Sequence, residues 1–457
     1  MLSPQIFKAN DIRGRVVGPD PEWDAAGVSA LGGAFVRLLG LQGETFVMGR
    51  DMRVLGEEFS GLFADAARDA GASVVDIGLA STDELWFASG RLRVPGVQFT
   101  ASHNPADYNG IKFCLANAAP VPANFMSRLA DEAARPDGPA TPAQRGDLRT
   151  WDALPDYADH LHSLVTVPDR RRLSVVVDAG NGMAGLTVGS VLDRLNVDVI
   201  GLYLDPDGTF PNHPPNPLVP ENLVDAQQAV IQHDADLALV FDGDADRCFI
   251  IDERGQVIDP SLITALIAEA ELAHEPGGVI VINTITSRTV AKVVAAAGGS
   301  TVVSLVGHTS VKAKMAEHDA VFGGEHSAHY YFRDFWGADT GMLAALNVLA
   351  LLAATDGTLS ELVADYDVYR RSGELNFVVA DAAAVIAAVS SAFSGRGSHD
   401  HSDGLTITHE PDGDLAWWFN LRPSNTEPLL RLNVEAIDDA TLAAVRDEVI
   451  HLIEENS

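Results

Sequence analysis

Four times in this chain a short β-branched or aliphatic run gives way at once to a polar or glycine-rich loop and then to a helical pattern. The runs are Thr45-Phe46-Val47-Met48 before Gly49-Arg50-Asp51, Ser174-Val175-Val176-Val177 before Asp178-Ala179-Gly180-Asn181-Gly182, Leu237-Ala238-Leu239-Val240-Phe241, and Val279-Ile280-Val281-Ile282. That alternation is the signature of βαβ units and parallel sheets. In open α/β sheets ligands sit beyond the carboxyl ends of the strands, so chemistry is expected in the loops after these runs.

At 457 residues the chain exceeds what one hydrophobic core organises, and its length predicts roughly three to four domains. Hydrophobic residues make up 47% and charged residues 21%, an ordinary globular composition that excludes extensive disorder. The start, Met1-Leu2-Ser3-Pro4-Gln5-Ile6-Phe7-Lys8, has neither the basic segment nor the apolar region of a secretory signal. The apolar stretch at 342–354 falls short of the roughly 20 residues of a membrane span and reads as a buried helix. Cys114 and Cys248 are spaced for neither a disulfide framework nor a zinc site. A cytoplasmic protein without a membrane anchor is the expectation. The formal charge of −33 repels nucleic acid, and no Lys/Arg cluster offsets it. An anionic ligand would have to be drawn by a few local cations, for which Arg13, Lys112, Arg247, His308 and Arg422 are candidates.

The segment Thr100-Ala101-Ser102-His103-Asn104-Pro105, followed by Tyr108-Asn109-Gly110-Ile111-Lys112, sets a serine hydroxyl among groups suited to phosphate chemistry. Serine is a weak nucleophile unless a base, cation or metal stabilises charge on it or on its phosphate. Taken alone, the segment also reads as a turn or N-cap serine. A metal site is supplied by Asp242, Asp244 and Asp246 in Phe241-Asp-Gly-Asp-Ala-Asp-Arg247, three carboxylates at alternate positions after an apolar run. Hard oxygen ligands of this kind suit magnesium. Glu253 falls at the twelfth position of a calcium EF-hand loop counted from Asp242, but Arg247 stands where that loop needs its turn glycine, and β-like runs flank the triplet instead of helices.

These segments, with Gly324-Glu325-His326-Ser327-Ala328-His329 and Arg422-Pro423-Ser424-Asn425-Thr426-Glu427-Pro428, occur in an order that resembles the α-D-phosphohexomutase family along the whole chain. Within it the chain looks most like the phosphomannomutase branch, including bifunctional phosphomannomutase/phosphoglucomutase members, and like actinobacterial versions carrying Tyr330-Tyr331-Phe332-Arg333-Asp334-Phe335. The resemblance implies three related α/β domains with mixed sheets and a smaller C-terminal α+β domain around a central cleft. The expected boundaries are 1–147 with the phosphoserine loop, 148–251 with the metal loop, 252–368 with the sugar-binding loop and 369–457 with the phosphate-binding loop. The polar, proline-bearing region 134–144 marks the first boundary, and a helix is expected over 151–164. After residue 373 the pattern turns to strands joined by turns, closed by a helix over 438–454.

By the same resemblance, Ser102 is carried as phosphoserine and gives and takes the phosphoryl group. Magnesium is held by Asp242, Asp244, Asp246 and the Ser102 phosphate. A hexose 1,6-bisphosphate serves as intermediate and activator. Arg13, Lys112 and Arg247 flank the transferring phosphate, Glu325 and Ser327 bind sugar hydroxyls, and His308 helps to bind substrate. Arg422, Ser424, Asn425 and Thr426 grip the second phosphate, their guanidinium fork and hydroxyls being suited to it. His329 is a candidate general acid/base, its imidazole pKa lying near working pH, although the sequence leaves open which group takes the hydroxyl proton. His103 and Asn104 either hold the serine loop or touch phosphate. The substrate is then a phosphosugar, the reaction that of an isomerase-class mutase, and the molecule a monomer or homodimer without nucleic-acid or membrane partners. Three departures bear on sugar preference: Asn10 replaces a common tyrosine, His326 a common methionine or glutamine, and Ile285 a substrate-binding lysine of some bifunctional relatives, for which Arg288 is a candidate substitute.

Overall fold

The aliphatic runs fold as buried strands because both of their faces are covered, the usual situation of strands in a largely parallel sheet. All five residues of Leu237–Phe241 are buried, as are four of the five of Val279–Asn283. The structure is a computed structural model that describes residues 2–135, 144–424 and 429–457. Its strands form four sheets.

The first three sheets share one plan. In the first, Thr45–Arg50 lies between Ser73–Leu79 and Gly96–Phe99, parallel to both, and Tyr108–Cys114 adds antiparallel to the last. In the second, Leu173–Asp178 lies between Val197–Leu202 and Leu237–Phe241, parallel to both, with Cys248–Asp252 antiparallel beyond. In the third, Val279–Asn283 lies between Ser300–Ser304 and Phe322–Gly324, again parallel, with Tyr330–Phe332 antiparallel beyond. Each unit is thus four strands in the spatial order second, first, third, fourth, the last one reversed. The first sheet adds Ile12–Arg15 at one edge and, three residues past the expected boundary, Leu148–Thr150 at the other. The fourth sheet, from Arg370–Phe377 to Trp417–Pro423 and Leu430–Ala436, is antiparallel throughout and is covered by helices Ala382–Ala392 and Asp439–Glu455. The expected α/β architecture with a smaller α+β unit is therefore observed. The helix expected over 151–164 runs over Leu154–Leu164, with Pro155 in its first turn. The stretch read as a buried helix is Gly341–Ala353. Most of the region read as the first boundary lies outside the described residues.

One hydrophobic core runs through the second and third units and takes in helix Thr82–Leu92 of the first. At the start of that helix the buried Asp83 accepts hydrogen bonds from Ser81 Oγ, from Tyr157 OH at 2.7 Å and from Thr340 Oγ1 at 2.7 Å. One carboxylate so ties three units together. The neighbouring Glu84 is 3% exposed, and burial, with Asp83 beside it, pushes its carboxyl up to about 8. Because that folded value lies above the ordinary 4.5, the contribution of Glu84 to stability is full below pH 4.5 and is lost as pH rises through about 8. Glu84→Gln should leave urea-denaturation stability nearly unchanged at the acid end and raise it at about pH 9 by at least ~1 kcal/mol.

Candidate active site

The segments bearing Ser102, the aspartate triplet and Glu325 to His329 are the same connection of the repeated unit, the one joining its third strand to its reversed fourth. Each holds a non-glycine residue in the left-handed region: Ser102 at φ 51°, Ala245 at 62° and Ala328 at 62°. Such conformations cost of order 1–3 kcal/mol and persist where the surroundings over-determine them.

In the first connection Ser102 is 2% exposed. Its N–H donates to Thr100 Oγ1 at 2.8 Å, and its hydroxyl donates to Asp242 Oδ2 at 2.9 Å and accepts from Arg247 Nη2 at 3.1 Å. Arg247 also reaches Asp242 and donates to His103 Nδ1. Arg13 donates to Asp11 Oδ2 at 2.7 Å and to Asn104 Oδ1 at 2.9 Å, so a cation flanks the loop on the side of Asn104. The second connection comes this close only because residue 243 is glycine: a Cβ there would stand 2.5 Å from the Ser102 carbonyl oxygen.

Oxygens of Asp242, Asp244 and Asp246 lie within 4.8 Å of one another, and all three residues are buried. Lys112 of the first unit enters between two of them, with Nζ 2.6 Å from Asp244 Oδ2 and 2.5 Å from Asp246 Oδ2. Burial alone would lower the Lys112 ammonium, but Asp244 and Asp246 hold it well above its ordinary value. Burial would likewise raise Asp244, but Lys112 and a hydrogen bond from Thr82 hold its carboxyl well below the usual range. Asp242 is pushed up by burial. Asp244 Oδ1 and Asp246 Oδ1 are buried without a hydrogen-bond donor among the described residues. Carboxylate oxygens gathered on one spot with lone pairs open are the donor set of a hard divalent cation, and magnesium fits them.

In the third connection His329 Nε2 lies 3.6 Å from Asp246 Oδ1, and its Nδ1 is 2.9 Å from Ser327 Oγ. Burial lowers the imidazoles of His329 and His308 to about 4 and that of His326 to about 3, and sets His103 well below its ordinary value. All four rings are neutral at neutral pH. Glu325 is engaged within the protein: it accepts from Asn283 Nδ2 at 2.9 Å, Gly307 N at 3.2 Å and Tyr331 OH at 2.5 Å. His308 opens helix His308–His318, and the next residue, Thr309, donates to Asn10 Oδ1 at 2.8 Å.

The fourth unit docks on the third through two carboxylates. Glu435 accepts from Ser287 Oγ at 2.7 Å and Trp418 Nε1 at 2.7 Å, and Asp403 accepts from Thr284 Oγ1 at 2.8 Å and Val306 N at 3.0 Å. Arg422 is 2% exposed, near Glu374 at 3.5 Å, and within electrostatic reach of Glu325 and His326. Ser424 follows at the end of strand Trp417–Pro423, whereas Asn425 and Thr426 lie outside the described residues. Ile285 packs with Tyr369, Leu415 and Trp418, and Arg288 lies over the Trp418 ring at 4.6 Å, so Arg288 is occupied at this interface rather than standing in for a substrate-binding lysine.

The structure therefore brings Ser102, Arg13, Lys112, Asp242, Asp244, Asp246, Arg247 and His329 to one cluster, with His308, Glu325, Ser327 and Arg422 beside it. Sequence reasoning missed Thr82, Asp83, Asn283 and the pair Asp51 and Arg53. The pair had a signal, since it follows strand Thr45–Arg50 directly. Another signal was the shared spacing of Asp242, Ala245 and Asp246 with Glu325, Ala328 and His329, which aligns Asp246 with His329. Lys112→Met should strip Asp244 and Asp246 of the ammonium that lies between them and cost about 3 kcal/mol in chelator. Added magnesium should raise the melting temperature of the variant by more than it raises that of the parent.

Models of the phosphoglucomutase/phosphomannomutase alpha/beta/alpha domains I, II and III match residues 4–138, 155–255 and 259–369, and that of the C-terminal domain matches 374–452. A phosphomannomutase of Salmonella montevideo is 41% identical over 460 residues, covering 98% of each chain, and one of Escherichia coli K12 is 40% identical over 456 residues, covering 97% of each. The crystal structure of a phosphoglucomutase/phosphomannomutase family protein from Burkholderia thailandensis matches with a TM-score of 0.88 at 32% identity, covering 100% of this chain and 98% of that one. Four domain models in chain order, full-length relatives at this identity and a shared fold agree with the convergence of the three connections: the chain belongs to the phosphoglucomutase/phosphomannomutase family.

Proposed function

We propose that this protein is a phosphomannomutase, interconverting mannose 6-phosphate and mannose 1-phosphate through phosphoserine at Ser102 and a hexose 1,6-bisphosphate intermediate. The observation that carries the reading is the meeting of the buried Ser102 hydroxyl with Asp242 at 2.9 Å and Arg247 at 3.1 Å across the boundary between two units. The choice of mannose is supported by the full-length relatives that bear that name.

In the first half-reaction the phosphoryl group leaves Ser102 Oγ for a sugar hydroxyl. In the second, after the bisphosphate has reoriented, Ser102 Oγ takes the other phosphoryl group. Asp242, Asp244 and Asp246, with the phosphate on Ser102, would hold magnesium, which supplies charge neutralisation for a loose phosphoryl transition state. Arg247 donates to Ser102 Oγ, Lys112 pairs with Asp244 and Asp246, and Arg13 bonds Asn104 of the serine loop, so three fixed cations would flank the transferring group. The proton of the attacking hydroxyl goes to His329. Lys112 and Arg13 are both held above their ordinary values by acidic neighbours, and His329 offers the neutral ring nitrogen on this side of the cluster. The second phosphate is gripped by Arg422, Ser424, Asn425 and Thr426, and Glu325 and Ser327 face the sugar. Closure of the fourth unit would keep water from the intermediate. A bifunctional phosphomannomutase/phosphoglucomutase is the second reading, favoured by domain models that name both activities. A hexose 1,6-bisphosphate would also serve as activator by loading Ser102.

A coupled assay with magnesium and hexose 1,6-bisphosphate should show turnover of mannose 1-phosphate with little free phosphate, and Ser102→Ala should lose at least ~10³-fold in kcat. The ratio of rates on mannose and glucose 1-phosphate separates the two readings. Steady release of free phosphate would mean a phosphatase instead.

A further inference from the structure

We infer that Arg53 is a positioning residue for phosphoryl transfer: it holds the left-handed backbone of Ser102, and so the aim of Ser102 Oγ, from beneath the loop. The inference rests on the reading of Ser102 as the phosphoryl carrier and names a residue which that reading does not use.

The Arg53 side chain is fully buried. Its Nη2 donates to the carbonyl oxygens of Ser102 and Asn104, each at 2.6 Å, and its Nη1 donates to those of Pro105 at 2.8 Å and Tyr108 at 3.0 Å. Four carbonyls from seven consecutive residues thus converge on one guanidinium. They converge because the loop doubles back between strands Gly96–Phe99 and Tyr108–Cys114, and without a cation their negative ends would face one another in a buried space. The side chain is held in turn from two sides. Asp51 accepts from the backbone N–H of Arg53 at 2.9 Å, and its other oxygen forms an ion pair 3.3 Å from Arg53 Nε. From the second unit, the Phe210 ring centroid lies 5.0 Å from the guanidinium carbon. Phe210 is itself in the left-handed region, at φ 48°. Its loop comes close enough that a Cβ on Gly208 would stand 2.6 Å from Met52 O.

A planar fork with five donors is the one side chain that serves four carbonyls in two directions at once. A lysine ammonium keeps the charge, but its three N–H groups radiate from a single atom. In Arg53→Lys the Ser102 carbonyl therefore loses its fixed partner, and Ser102 is free to leave φ 51° for the common regions. A displacement of ~1 Å of a reacting atom costs on the order of 10²-fold in rate.

The experiment loads purified full-length enzyme with radiolabelled hexose 1,6-bisphosphate and follows, in a rapid-quench apparatus, single-turnover transfer of label from protein to saturating mannose 1-phosphate. The rate constant does not depend on the folded fraction, whereas the amplitude does. For Arg53→Lys the rate constant should fall by about 50-fold or more with the KM for mannose 1-phosphate within about threefold. Phe210→Leu, which loosens the cap and keeps the guanidinium, should lower it by about fivefold and decides the matter if Arg53→Lys does not fold. A rate constant within twofold of the parent, with only the amplitude reduced, overturns the inference. Failure of the parent enzyme to take label at Ser102, judged against Ser102→Ala, would instead overturn the reading of Ser102 itself and is seen before either variant is measured.

Discussion

The rest of the site depends on the insertion of Lys112 between Asp244 and Asp246. Three buried carboxylates within 4.8 Å repel one another by about 4 kcal/mol per pair at an effective dielectric of ~20. The second unit cannot gather them unaided. Arg247 comes from their own connection, but Lys112 comes from the reversed strand of the first unit, so the carboxylates gain their second cation only when the two units are docked. Thr82 adds a second tie from the first unit, through its hydroxyl and its backbone N–H, both bonded to Asp244. Docking of the units and assembly of the site are one event, and separating them would leave buried charges without partners.

Repetition explains how so much chemistry is gathered with so little machinery. A unit of three parallel strands and a reversed fourth must turn the chain sharply between its last two strands, and that turn lies at the carboxyl end of the sheet, where open α/β sheets bind ligands. Each of three copies strains a small residue there, Ser102, Ala245 or Ala328. Divergence of the turn then sorts the roles: a hydroxyl in the first, carboxylates in the second, a neutral imidazole and an engaged glutamate in the third. Asp246 and His329, at matching positions of two turns, end up 3.6 Å apart.

What was legible in the sequence follows from this arrangement. Ser102 and the aspartate triplet lie within short segments after apolar runs, so local pattern was enough to find them, and the alternation of strands and helices was enough for the α/β class. The pairing of Lys112 with carboxylates more than 130 residues away leaves no local trace, nor does the convergence of Ser81, Tyr157 and Thr340 on Asp83. Leu148–Thr150 has too few residues to show a strand period, and it is placed by pairing with Ser73–Leu79. Arg288 looked free for substrate because a sequence does not show that Trp418 and Glu435 wait across an interface. Nor does a sequence show that Asn283, Gly307 and Tyr331 donate to the Glu325 carboxylate and so fix its place.

The local charge also explains how a chain of net charge −33 handles an anionic sugar. With a Debye length of about 8 Å in physiological salt, distant surface carboxylates matter little, and the balance within the cluster decides. There the carboxylates of Asp11, Asp242, Asp244 and Asp246 face the cations of Arg13, Lys112 and Arg247, and the neighbouring imidazoles are neutral. Nearby pairs cancel: Asp51 with Arg53 and Asp339 with Lys312. With all four carboxylates ionised, the protein alone leaves the cluster one negative charge in excess, which is the wrong sign for a phosphate. A divalent cation held by Asp242, Asp244 and Asp246 would reverse that sign. In the proposed reaction such a cation would therefore make the site receptive to phosphate as well as assist the transfer.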